Sequence, residues 1–254
     1  MTADRLLGGR VLLRQPAAGF RAAVDPVLLA AAVPAAPGDR VLELGCGSGA
    51  GFLCLAARVP GLEIVGAELQ PEIAALAAAN AAENGLAGRA RILPGDLRAL
   101  TAEAAGGPCD HAFANPPFLP AGGGSRSPDR GRDLAGQESG AALPEWIRAA
   151  ARLLRHGGSL TLIHRADRLP DILAALSPGF GAVTVFPLWP KAGREAKRVL
   201  VAGRRGSRAP ARLLPGLVLH DPAGGPTAAA EAVLRDAAAL PLWPGLAAAA
   251  GGDA

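Results

Sequence analysis

The sequence predicts an α/β fold: a doubly wound, mostly parallel sheet with helices on both faces. Three observations carry that expectation. Short apolar, strand-like runs alternate with helix-like runs at the spacing of βαβ units, which sets parallel strands side by side and crossover helices over both faces. The chain has 254 residues, half of them apolar, enough to bury a large core in one domain. A glycine-rich stretch from Gly45 to Gly51 lies between the first core strand and the next helix, where such folds bring a ligand against the backbone.

The first 38 residues hold a strand over 10–14 and a helix opening at Asp25-Pro26. Asp25 is expected as its N-cap and Pro26 as its first residue, a position that needs no amide hydrogen. The helix stops before Pro34, and Pro37-Gly38-Asp39 turns the chain into a strand over 40–45. A helix over 51–58, a strand over 62–68, an alanine-rich helix over 71–84 stopped by Asn84-Gly85, and a strand over 90–93 follow. The strand over 110–114 delivers Asn115 to its end. Next comes a polar, glycine-rich stretch over 121–140, which at that length is either functional or a solvated insertion. A helix over 143–154 ends at His156-Gly157-Gly158, a strand over 159–164 and a helix over 170–176 follow, and 182–186, 198–202 and 217–220 are extended. Thr227 caps a last helix running to Leu240. With no repeat and no clean linker, one domain is expected over 1–254, with a flanking element over 1–38, a core over 39–205 and an extension over 206–254.

Composition narrows the partners. A net charge of +4 and a pI near 9.6 are compatible with a polyanion. Between Lys191 and Arg212 eight basic residues stand against one acid, Glu195, so this segment is either a solvated hairpin or a phosphate-binding surface. Cys46, Cys54 and Cys109 are odd in number and lack C-x-x-C spacing, which argues against a disulfide framework or a zinc site and fits reduced thiols in a cytosol. The histidines, His111, His156, His164 and His220, are scattered, and no metal site is expected. No signal-like start and no uninterrupted apolar span is visible, so a soluble, unexported, cytoplasmic protein is expected.

Two motifs carry chemistry. In Phe113-Ala-Asn-Pro-Pro-Phe118 an apolar run stops at an asparagine, two prolines and an aromatic ring. The Asn115 side-chain carbonyl and the Pro116 carbonyl could accept the two N–H groups of a flat amine, with Pro117 stiffening the turn and Phe118 offering a stacking face. The same residues could also merely start a turn. The second motif, Glu43-Leu-Gly45-Cys-Gly47-Ser-Gly49, follows a strand; Gly45, Gly47 and Ala50 also satisfy G-x-G-x-x-G/A, so alone it could belong to a nicotinamide enzyme. Glu68 at the end of the second core strand can accept from both hydroxyls of a ribose, and Asp96 follows the third.

Taken together, these residues resemble the class I S-adenosylmethionine-dependent methyltransferases, in which an E-x-G-x-G-x-G loop and acids after strands two and three bind the cofactor. The resemblance implies a seven-stranded Rossmann-like sheet and S-adenosyl-L-methionine as cofactor. By it, Gly45, Gly47 and Gly49 lie against the methionine and ribose, Glu68 binds the ribose, Asp96 the adenine amino group, and Glu43 orients the methionine end. With N-P-P-F after strand four, the chain resembles the amino-group methyltransferases that act on adenine N6, guanine N2 or a protein glutamine. It is most similar to the tRNA adenine-N6 methyltransferases that modify a valine tRNA beside its anticodon.

That likeness extends to Gly19-Phe20, to Asp25 with Val24, expected to flank the cofactor's methionine, and to the closing Arg198-Val-Leu-Val segment. Asn115, Pro116, Pro117 and Phe118 become the amine pocket, where these tRNA enzymes commonly carry Tyr in place of Phe118 and ribosomal guanine-N2 enzymes often carry Phe. Release-factor enzymes add a helical domain ahead of the core, whereas about forty residues precede it here. RNA is the expected partner, tRNA ahead of rRNA, through Arg126, Arg130 and Arg132 in a lid-like loop and through Lys191, Arg194 and Lys197. The alternative from another class is a non-catalytic RNA- or cofactor-binding module.

Overall fold

The computed structural model describes residues 1–17, 24–117 and 141–243. The expectations on Gly19, Phe20, Phe118, Arg126, Arg130 and Arg132 lie outside the described residues. Two strands, β1 (Thr2–Leu6) and β2 (Val11–Gln15), form an antiparallel ribbon; the sequence pattern shows only the second, because β1 alternates half-buried and exposed residues with little apolar content. Helix α1 (Asp25–Ala32) leads into β3 (Arg40–Leu44), α2 (Ala50–Arg58), β4 (Glu63–Glu68), α3 (Pro71–Glu83), β5 (Ala90–Pro94) and β6 (Cys109–Ala114). After the second gap come α4 (Leu143–Leu153), β7 (Leu154–Arg165), α5 (Leu169–Leu176), β8 (Phe180–Lys191), β9 (Arg198–Arg205), β10 (Arg212–Leu213), β11 (Leu217–His220) and α6 (Ala228–Leu234).

The main sheet runs β5-β4-β3-β6-β7-β9-β8, with the short β10 and β11 both added to β8. Every pairing from β5 to β7 is parallel; β9 alone runs against its neighbours. The expected seven strands are these, and two short ones extend the edge. Successive side chains of a strand point to opposite faces, so β6 sends Phe113 into one core, with α1 and α2, and Ala112 and Ala114 into another, with α4 and α5. Chain order 5-4-3-6 reverses direction between β3 and β6, which opens the crevice at the carboxyl ends of those strands. No helix among the described residues is long and apolar enough to cross a membrane.

Two helix ends depart from the sequence reading. Asp25 is the first residue of α1 and does not cap it; the cap position is Val24, whose carbonyl accepts from Leu28 N–H at 3.0 Å, and the Asp25 carboxylate turns instead to Arg198. Arg198 offers the carboxylate a charged donor, whereas a cap offers it only a backbone N–H. Thr227 does cap α6, accepting from Ala230 N–H at 3.1 Å, but the helix ends at Leu234 and not at Leu240. Beyond it Ala237 takes a left-handed φ of 62°, and Leu240 N–H donates to the carbonyl of Ala31 at 2.8 Å. That bond, with Trp243 Nε1–H on the Ala32 carbonyl at 3.0 Å and Arg58 on those of Ala30 and Val33, satisfies the carbonyls that α1 leaves open at its buried end. Burial drops the Arg58 pKa to about 10.

The ribbon docks on α3 through side-chain amides. Asn84 accepts from Leu12 N–H at 2.9 Å and donates to its carbonyl at 2.7 Å; Asn80 does the same with Arg14, at 3.1 and 2.9 Å. Residues four apart on a helix rise about 6 Å, close to the two-residue repeat of a strand, so two asparagines act as a substitute neighbour strand for the edge of β2. Asn80, fully buried, also donates to the Ser48 carbonyl in the glycine loop at 2.8 Å. At the opposite, amino-end edge of the sheet His111 bridges Asp39 (Nε2, 3.1 Å) and Ser159 (Nδ1, 2.7 Å). The order Asp-His-Ser matches a hydrolytic triad, but Ser159 is fully buried, and the chain of bonds serves to clamp β6 and β7 to the turn before β3.

Asn80→Ala is expected to cost about 2–4 kcal/mol, since it removes a buried amide and leaves part-buried backbone groups of Arg14 and Ser48 without their partner. Urea unfolding measures this, and Glu83→Ala, which removes only the half-exposed Arg14–Glu83 pair, should cost distinctly less.

Candidate active site

The crevice is built around the loop from Gly45 to Gly49. All three of its glycines have left-handed φ, +63°, +54° and +98°, a region other residues enter only with strain. Two are also pinned by packing: a side chain at Gly45 would lie 2.5 Å from the Trp146 ring of α4, and one at Gly49 2.5 Å from the Phe52 ring of α2. Gly47 differs, because a Cβ there would meet nothing within 4 Å. The loop is thus held from two sides and bare at its middle.

Glu43 supports the loop from below. It is buried at the end of β3, and its Oε2 accepts the Phe52 N–H in the first turn of α2 at 2.8 Å. A Cβ on Gly51 would fall 2.1 Å from its Oε1, so Gly51 is the space the carboxyl occupies. Burial pushes its pKa up to about 8, against the pull of the Phe52 hydrogen bond and with help from the charge of Glu68. Glu43 orders the loop from beneath through Phe52 and Gly51.

Glu68 closes the second strand end. Its Oε2 accepts Gly47 N–H at 3.0 Å and its Oε1 accepts Gln70 N–H at 3.0 Å. Asp96 lies one strand further out, past Gly95, whose N–H donates to the Glu68 carbonyl at 2.8 Å. Asp96 accepts from Arg98 N–H at 2.8 Å and from Arg98 Nε at 2.9 Å, and the Arg98 hydrogen bond holds its carboxyl below the usual range. Arg98 is a partner that sequence spacing had not drawn attention to.

Asn115 follows β6, adjacent in the sheet to β3. Its side-chain Oδ1 is buried and accepts no hydrogen bond among the described residues, which is costly unless a donor is supplied. Pro116 is buried beside it and Pro117 half-buried. Across on β7 stands His164, buried, with Nδ1 accepting Arg165 N–H at 2.9 Å. Its pKa falls to about 4, chiefly through burial and then through Arg168. Sequence reading had set His164 aside as a scattered histidine.

The remaining groups lie along the same edge. β8 is parallel to β7 and β9 antiparallel, so the end of β8, the hairpin 192–197 and the start of β9 all sit at the carboxyl-end edge. Arg198 faces Arg165 there and donates to Asp25 at 3.1 Å, which brings the N-terminus of α1 to the crevice. Of the basic cluster, Arg204, Arg205 and Arg212 are engaged by Trp243 and backbone carbonyls, while Arg194 and Lys197 are exposed on the hairpin; Lys191 is exposed and reaches the Pro222 carbonyl at 3.4 Å. The segment is therefore divided between arginines held by the fold and basic side chains left in solvent.

The chain is similar to known proteins in sequence and in fold. The family model described as a methyltransferase domain matches residues 41–119, from β3 through the Asn-Pro-Pro turn. A tRNA1(Val) (adenine(37)-N6)-methyltransferase of Aeromonas hydrophila is 31% identical over 189 residues, 74% of this chain and 78% of that protein. The enzyme of the same description from Porphyromonas gingivalis is 34% identical over 62% of this chain, which spans 64% of the length of that relative. Among solved structures, a predicted O-methyltransferase of Agrobacterium tumefaciens superposes with a TM-score of 0.70 at 28% identity, over 85% of this chain and 98% of its own.

The raised pKa of Glu43 has a sign that can be tested. Its contribution to stability is whole below about pH 4.5 and is lost as pH rises toward 8, at no more than about 1.4 kcal/mol for each pH unit in that window. Glutamine keeps an oxygen for Phe52 N–H and does not titrate, so the stability of wild type relative to Glu43→Gln is expected to fall steadily between pH 5 and 8. Urea unfolding of both proteins across that range measures the difference, in which the titrations of the other groups cancel.

Proposed function

The chain belongs to the S-adenosylmethionine-dependent methyltransferase family of the tRNA1(Val) (adenine(37)-N6) enzymes, and we propose that it methylates an exocyclic amino group, adenine N6 of a tRNA. The observation that carries the proposal is the buried Asn115 Oδ1 without a donor, at the end of β6 and beside the glycine loop. An acceptor in that state is a site awaiting an N–H.

The residues fit the cofactor. The bare backbone at Gly47, with Glu68 and Asp96 at the next two strand ends, suits a ligand with a ribose and an amino-bearing ring; Asp25, held by Arg198, is assigned to its methionine end, and Glu43 keeps the loop in shape. When bound, S-adenosylmethionine supplies an electrophilic methyl group on a sulfonium. The chain's own task is to present the nitrogen. An aromatic amine is a poor nucleophile because its lone pair is delocalised into the ring. Asn115 Oδ1 and the Pro116 carbonyl, by accepting both N–H groups, favour a more tetrahedral nitrogen and stabilise the positive charge that develops on it. Two acceptors suit an amine, which has two hydrogens to give, better than a hydroxyl, which has one and asks for a base. His164 is no such base, with its pKa lowered to about 4 by burial and its Nδ1 engaged by Arg165 N–H.

Arg194 and Lys197 support an RNA partner, since they extend positive charge from the crevice edge into solvent. The three buried thiols, Cys46, Cys54 and Cys109, are compatible with a cytoplasmic enzyme.

Asn115→Ala is expected to lower methyl transfer by about 10²–10⁴-fold while cofactor affinity, read by calorimetry, stays within about threefold. Label transfer to an unmodified valine tRNA transcript, followed by nucleoside mass spectrometry for N6-methyladenosine, is the assay; a wild-type protein that binds the cofactor and labels no cellular RNA contradicts the proposal. Replacing Arg194 and Lys197 by alanine is expected to raise KM for RNA without changing kcat, and to reduce the slope of log affinity against log salt by about 1.4–1.8.

A further inference from the structure

We infer that Asn80 is a positioning residue for the cofactor: one of its amide hydrogens fixes the Ser48 carbonyl in the glycine loop while the rest of the group holds the N-terminal ribbon, so that cofactor affinity and the seating of the ribbon depend on one side chain. This rests on the reading of the glycine loop as the cofactor site.

The amide has both of its hydrogens in use. Nδ2 donates to the Arg14 carbonyl at 2.9 Å and to the Ser48 carbonyl at 2.8 Å, and Oδ1 accepts the Arg14 N–H at 3.1 Å. The side chain is fully buried, so water does not take the place of either partner. The Ser48 carbonyl belongs to the peptide unit that joins Ser48 to Gly49, and the N–H of that same unit donates to the Cys46 carbonyl at 2.9 Å. On the other side of Gly47, the unit that joins it to Cys46 is held by its N–H on Glu68 Oε2 at 3.0 Å. The bare Gly47 thus stands between two fastened peptide planes, in a run of glycines whose backbone is otherwise the freest in the chain.

The two fasteners differ in kind. Glu68 is the group assigned to the ribose, so its hold on the loop is shared with the ligand; Asn80 lies beneath, and its hold belongs to the chain alone. An amide is planar, so Oδ1 and Nδ2 turn together, and two of the three bonds that set their direction go to Arg14. A ribbon that lifts at Arg14 therefore releases the Ser48 carbonyl as well, and a ligand that requires the loop in this form stabilises the ribbon at Arg14 by the same factor. Asn84, one turn further along α3, makes the same pair of bonds with Leu12 but gives its other hydrogen to the Asn80 carbonyl at 2.8 Å and not to the loop. It holds the ribbon without holding the cofactor site, which makes it the control for Asn80.

Calorimetric titration with S-adenosylhomocysteine, the cofactor without its methyl group, tests the assignment. Asn80→Ala is expected to raise its Kd by about 10-fold or more, and Asn84→Ala, which loosens the same strand, to leave it within about threefold. Equal Kd values for Asn80→Ala and wild type overturn the inference, as does an equal rise in both variants. Backbone hydrogen exchange of wild type needs no variant to fold: with S-adenosylhomocysteine saturating, exchange at the Arg14 amide, whose acceptor is Asn80, is expected to slow by about threefold more than at the Leu12 amide, whose acceptor is Asn84. Equal slowing at the two amides overturns the inference. Neither measurement involves RNA or methyl transfer, so a wild type that shows this pattern and methylates no RNA refutes the proposed reaction and leaves the role of Asn80 standing. A wild type that binds no S-adenosylhomocysteine overturns the cofactor reading and the inference together.

Discussion

The crevice depends on one buried carboxyl. Glu43 closes β3 and takes the Phe52 N–H at the start of α2, so the strand and the helix on either side of the glycine loop are tied to each other beneath it. Because the carboxyl fills the space beside Gly51, the helix can begin close against the strand end, and Phe52 in turn fills the space left by Gly49. Burying an ionisable group is unfavourable, and here the cost is visible as a pKa near 8. What the cost secures is a loop whose backbone is set before any ligand arrives.

Around this point the two edges of the sheet have separate tasks. At the amino-end edge, Asp39, His111 and Ser159 bond in series across strand boundaries and serve stability. At the carboxyl-end edge the polar groups are arranged toward space: Gly47 with nothing above it, Glu68 on the loop, Asn115 with a buried oxygen still open. The N-terminal ribbon joins the two tasks, since the asparagine that anchors it on α3 also holds the Ser48 carbonyl of the loop. The loop is therefore gripped from α2, α3 and α4 at once, by Phe52, Asn80 and Trp146.

Much of this could be read from the chain because it rests on local rules. Gly45, Gly47 and Gly49 announce a backbone that needs positive φ, the apolar runs before Glu43, Glu68 and Asn115 announce strands, and an acid or asparagine at a strand end announces the crevice. The readings that failed were those in which a distant group competed with a local preference. Asp25 has the sequence of a cap, yet Arg198, far along the chain, takes its carboxylate. Residues 235–240 have helical composition, yet the open carbonyls of α1 draw Leu240 and Trp243 away from that path. Asn80 and Arg98 carry no signature at all, because what makes them matter is the neighbour that folding brings to them.

The sequence by itself determined the alternation of strands and helices through the core, the loop with its acids, and the asparagine turn, since each follows from backbone sterics and from the two periods of apolar residues. Only the tertiary structure decided which carboxylate lies under the loop and which faces outward, and which arginines are occupied. Those outcomes depend on burial and on hydrogen-bond partners far apart in the chain, and a partner acquires its meaning only when packing has excluded water from between the two groups.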